Sequence, residues 1–177
     1  MYPQAYLDYL YHFHCDRDYF ECHEVLEEYW KEKEAQERDI HWVGLIQIAV
    51  GLYHQRRGNL SGAKKMLQNA VHIVTSQSDC IQLLGLDSVA LEKLLNERIL
   101  DIEQGSPYRS FNLPIEDSNL LISCQSKAAS SNKIWGAISD LTDAALINRH
   151  SLRDRTEVIL ERQRQLDARK KKKDSNG

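Results

Sequence analysis

Apolar residues recur at helical spacing almost from the first position. Tyr2, Tyr6, Leu7, Tyr9, Leu10 and Phe13 make one broad face over residues 2–14, the 3.6-residue period of an amphipathic helix. Asp16-Arg17-Asp18 breaks the pattern with turn chemistry. An Asp side chain accepts from the free amides at a helix start, and Glu21 lies three residues after Asp18, a variant of the capping box. A second helix is therefore predicted from there to about Lys33. On it Tyr19, Phe20, His23, Glu27 and Trp30 fall within an arc of about 100°; Leu26, Cys22 and Tyr29 extend the arc on one side, and Glu21, Glu24 and Glu28 lie opposite. His23 and Glu27 thus stand where amphipathicity alone would place leucine.

A charged connection over 32–39 leads into 40–54, apolar nearly all round, which predicts a central buried helix. Its exceptions share one stripe: Gly44, Gln47, Gly51 and His54. Glycine costs a helix about 1 kcal/mol against alanine, so two glycines on one stripe predict the close approach of a neighbour or a ligand. Gly58, after Arg56-Arg57, suits the left-handed cap position. Ser61 is predicted to cap a fourth helix whose Ala63, Met66, Leu67, Ala70, Val71 and Val74 face inward. After a looser stretch at 79–86, a fifth starts at Asp87 or Ser88, with Leu91, Leu94, Leu95, Arg98, Ile99 and Ile102 inside and Gly105 after it. An offset of 41 sets Asp18 on Asn59, Cys22 on Ala63, Val25 on Met66 and Leu26 on Leu67, the pattern of two stacked helical hairpins.

Beyond Gly105 the character changes. Pro107 and Pro114 mark 106–125 as an extended arm or loop, 126–132 is a small-residue linker, and 134–173 is polar with only a narrow stripe of Ile147, Val158, Ile159 and Leu166. The expected fold is all-α: a compact bundle of about five helices at 1–105, an arm and linker at 106–132, and a helical, basic C-terminal extension at 133–177. Removal of 126–173 is expected to leave the core folded.

At 177 residues the chain suits one domain with an appendage. No apolar run approaches the ~20 residues of a membrane span or follows a basic start, so a soluble cytoplasmic protein with no membrane contact is expected. Cys15, Cys22, Cys80 and Cys124 form no CxxC pair and read as reduced thiols. The net charge of −3 conceals a split: ten acids against four bases in 16–40, and ten bases against five acids in 149–174. A basic tail can hold nucleic acid through phosphates, but a solvated helix end is the plainer reading, and no nucleic-acid binding is expected at physiological salt.

Candidate chemistry centres on His23 and Glu27, one turn apart, and on Gln47 and His54 of the glycine stripe. If their helices pack, two imidazoles, a carboxylate and an amide converge. His23, Glu27 and His54 would then suit a divalent metal such as zinc, or acid-base catalysis in a small hydrolase-like site. Gln47 and Arg57 are the candidate ligand-binding residues, although Arg56 and Arg57 also fit a plain C-terminal helix cap. HEVLE lacks the second histidine of an HExxH metalloprotease, and no phosphate loop or GxSxG is present. Two alternatives stand beside the site: a buried hydrogen-bonded network that fixes helix register, and a helical-hairpin scaffold that binds another protein. His12 and His14 read as surface or helix-end residues, Cys15 and Cys22 as packing.

The segments DYFECHEVLEEYW (18–30), GLIQIAVGLYHQRRGN (44–59) and GAKKML (62–67) resemble the family called domain of unknown function 309, with a match over roughly the first 105 residues. The resemblance implies a compact all-helical domain in which His23 and Glu27 lie near Gln47 and His54. It implies no established activity.

Overall fold

The structure is a computed structural model that describes residues 1–152. The chain divides into two compact units, Met1–Ile147 and Asn148–Gly177. The described residues of the first unit form an all-α bundle, joined by one isolated antiparallel bridge between Leu86 and Ile115. Among the described residues no helix is long and apolar enough to cross a membrane.

The first helix, α1 (Gln4–Tyr11), buries Tyr6, Tyr9 and Leu10. It ends earlier than its apolar face predicted, because the chain widens into a π turn over His12–Asp16 and Arg17 then takes a left-handed conformation, φ 53°. That kink swings the next helix, α2 (Tyr19–Glu32), back against the first. Asp18 caps it as expected, its carboxylate accepting from the Glu21 amide at 3.0 Å.

The central helix, α3 (Ile40–Arg56), is buried on most of its circumference. It runs antiparallel to α2, since Phe20 meets Tyr53 at one end and Tyr29 meets Trp42 at the other. Its glycines explain its contact with α4 (Leu60–Ser76). A Cβ on Gly44 would lie 2.8 Å from Ile73 Cγ2, and one on Gly51 would lie 2.7 Å from Leu67 Cγ. The close neighbour predicted from the stripe is therefore α4. Gly58, φ 80°, closes α3 as expected. Asn59, rather than Ser61, caps α4 and accepts from the Gly62 amide at 3.1 Å.

That correction strengthens the internal repeat. Asp18 and Asn59, 41 positions apart, are both caps bonded to the amide three residues on. Cys22 and Ala63, and Leu26 and Leu67, are all fully buried.

A short helix, α5 (Ser78–Leu83), occupies part of the stretch expected to be loose, and Asp87 caps α6 (Ser88–Glu103). Residues 106–117 form no helix and carry Phe111 and Leu113 into the core, but Ser118–Ser130 is a helix, α7. Asp117 caps it, and Leu120, Cys124 and Ala128, spaced one turn apart, form a narrow seam buried largely against α1. Lys127 of α7 pairs with Asp8 of α1. The sequence reading failed here because small and polar residues dominate 118–132 and only every fourth one is buried. Two short helices follow, α8 (Ala144–Ile147) and, in the second unit, α9 (Arg149–Leu152). The basic run at 169–173, and with it the nucleic-acid reading of the tail, lies outside the described residues.

Candidate functional site

The α2 helix owes its rotation to Tyr19, Cys22 and Leu26, which are fully buried. These three lie to one side of the apolar arc read from the sequence, so His23 and Glu27 sit on its shoulder. Their side chains are 26% and 36% exposed, a departure from the expected burial. His23 Nδ1 is 3.0 Å from Glu24 Oε1, and Nε2 is 3.6 Å from Glu27 Oε2. Glu27 also pairs with Lys31 at 3.0 Å, one turn further along. His23, Glu24 and Glu27 each offer one ligand atom, all within 4.8 Å of one another, and no other group of three or more His, Cys, Asp or Glu side chains does so among the described residues. Glu24, read from the sequence as part of the opposite, polar face, is thus the third member, and His54 is not in the group.

His54 is at the end of α3, where its Nδ1 accepts from the Asn59 side-chain amide at 3.2 Å. By the antiparallel register it stands level with the start of α2, and Gln47 stands level with residues 24–26. Both lie on the half-exposed strip of α3 with Val43 and Val50, between the residues that meet α2 and the glycines that meet α4. Gln47 Oε1 is buried and unpartnered, as is Trp30 Nε1 on α2. Arg57 is exposed and its guanidinium stands over the Tyr53 ring at 5.2 Å.

The family profile described as Domain of unknown function (DUF309) matches residues 6–66. Over 174 residues the chain is 47% identical to the "Uncharacterized protein YpuF" of Bacillus subtilis (strain 168), covering 98% of this chain and all of that protein. The chain belongs to the DUF309 family. No solved structure matches it. The profile covers α1 to the first half of α4, less than the 105 residues the resemblance suggested, and holds His23, Glu24, Glu27, Gln47, His54 and Arg57.

Several buried polar residues in this DUF309 protein join that segment to the rest of the chain. His14, read from the sequence as a surface or helix-end residue, is fully buried and stacks on Trp135 with ring centroids 4.2 Å apart. Its Nδ1–H donates to Leu10 O at 2.8 Å and its Nε2 accepts from the Leu113 amide at 3.0 Å, which fixes the neutral tautomer. Burial lowers its pKa to about 4. Arg17 is buried too, and donates to Phe13 O, Phe111 O, Ala137 O and Asn112 Oδ1 at 2.6 to 2.9 Å. Arg56 lies over the Tyr19 ring and bonds Arg17 O at 2.7 Å and Ser139 Oγ at 3.2 Å. Tyr19, Tyr108 and Ser139 complete a chain of hydroxyls. None of these long-range partners has a local spacing that sequence alone could reveal; the burial of Arg98 on the inner side of α6 was the exception.

Proposed function

We propose that this DUF309 protein binds a divalent transition metal of the zinc kind at His23, Glu24 and Glu27. The observation that carries the reading is the convergence of one imidazole and two carboxylates within 4.8 Å on the half-exposed shoulder of α2. One nitrogen and two oxygen ligands suit zinc, manganese or iron, and a half-exposed site leaves coordination positions for water or substrate. Lys31 pairs with Oε1 of Glu27 and leaves Oε2, which faces His23, for the metal. Gln47, with an acceptor oxygen still unmatched, and His54 extend the site along α3. An open metal position beside a carboxylate is the arrangement from which hydrolytic chemistry is built. Equilibrium dialysis against zinc followed by elemental analysis tests the reading. About one zinc per chain is expected, with loss on His23→Ala and weakening on Glu24→Gln; no retained zinc, or equal retention by His23→Ala, overturns it.

The repeat favours a second reading, a scaffold of paired helical hairpins that binds another protein. Its observation is the equivalence of the Asp18 and Asn59 caps and of the buried residues that follow each. On this reading the polar cluster is purely structural, so Leu replacements at His23 and Glu27 lower stability by removing their pairing, and the parent chain retains no zinc.

A further inference from the structure

Three interior arginines differ in what answers their charge. Arg17 is bonded on every nitrogen. Arg56 has Nε and Nη2 sealed from solvent without partners and rests on Tyr19. Arg98 is only 5% exposed, stacks on the Phe111 ring at 5.2 Å, and makes one long hydrogen bond, 3.5 Å from Nη1 to Gln55 Oε1. Among the described residues no carboxylate forms an ion pair with it. Stacking uses the face of a guanidinium and leaves its N–H edge free for a planar acceptor. That edge borders a cavity of about 350 Å³ along α6, walled also by Leu94, Glu97, Leu100, Asp101 and Arg109.

Unlike those of Arg56, its remaining donors are not sealed from solvent, so they are open to a ligand; burial lowers the Arg98 pKa below the usual arginine range, against the pull of the Asp101 charge. The cavity lies in the size range of small-molecule sites. Its wall carries two cations and two anions, with Arg109 held at 3.2 Å from Asp101, so a ligand of one sign would meet repulsion. A ligand bearing both signs would not, and the two leucines offer an apolar wall beside them.

We propose that this cavity binds an aliphatic α-amino acid, its carboxylate taken by the free edge of Arg98 and its ammonium group by Glu97 and Asp101. The guanidinium fork matches the two oxygens of a carboxylate. The site lies on α6, outside the residues matched by the family profile, and its test is independent of the zinc experiment.

Thermal melting of the full chain with L-valine, isovalerate, isobutylamine or inorganic phosphate, each at millimolar concentration, tests the proposal. A ligand that binds only the folded state raises Tm, and a rise of roughly 2 to 4 °C or more is expected with L-valine. Isovalerate, which lacks the ammonium group, gives a smaller rise; isobutylamine and phosphate give none. Arg98→Met removes the valine response. Because Arg98 is interior and its replacement endangers the fold, Asp101→Asn, at the partly exposed rim, serves as the second variant and lowers the valine response to that of isovalerate. No valine response, an equal response to phosphate or isobutylamine, or an undiminished response in Asp101→Asn overturns the proposal.

Discussion

His14 shows how much one residue can depend on distant chain. Its ring is held neutral by Leu10 O on one nitrogen and the Leu113 amide on the other, with Trp135 flat against it. The folded pKa, about 4, is below the ordinary histidine value of 6.5, so the unfolded chain binds the proton more readily. Stability from this residue is therefore complete above about pH 6.5, falls as pH drops towards 4, and levels off below; the full difference is up to about 3 kcal/mol. Urea unfolding across that range should show the decline. His14→Leu should cost about 1 to 3 kcal/mol at neutral pH by leaving the Leu113 amide unmatched, and should flatten the decline between pH 6.5 and 4. An unchanged slope in the variant would assign the decline to other groups. His23 makes the opposite point: its partners Glu24 and Glu27 are one and four residues away, and the pairing with Glu27 was legible from spacing alone.

At the scale of elements, α3 and α4 illustrate a case where packing overrides propensity. Gly51→Ala gains about 1 kcal/mol of helix propensity, yet its Cβ would lie 2.7 Å from Leu67 Cγ and 2.8 Å from Leu67 Cδ2. Overpacking of this kind costs about 1 to 3 kcal/mol, so a net loss of about 1 kcal/mol is expected. Leu67→Ala removes the clash. In a double-mutant cycle by chemical denaturation, Gly51→Ala should be harmless or stabilising in the Leu67→Ala background, a coupling of at least about 1 kcal/mol; additive effects would mean that the helices separate freely. The central helix was recognisable because it is apolar nearly all round. Helix α7 was not, since Leu120, Cys124 and Ala128 are its only buried residues and a seam that narrow resembles a linker.

For the whole molecule the corrected boundary matters most. Residues beyond 125 include support that the sequence concealed: Ala128 is buried, Trp135 covers His14, and Ala137 O and Ser139 Oγ accept from Arg17 and Arg56. A chain ending at Gln125 should therefore lose several kcal/mol or its cooperative unfolding, since it strips partners from buried charged groups. One ending at Ile147, where the first compact unit closes, should retain a cooperative transition in calorimetry. Equal melting of the two would restore the shorter core. The sequence by itself determined the helical class, the order of the first helices, the Asp18 cap, the glycine seam and the His23–Glu27 pair, because each is a local pattern of three to seven residues on one helix. Only the tertiary structure decided that His54 stays out of the His23 group, that Arg98 faces a cavity, and that His14, Arg17 and Arg56 are sealed beneath residues 111–139. The burial of these histidine and arginine side chains depends on partners about 40 to 120 positions away, and burial of a polar group is defined by whichever distant segment arrives to bond it.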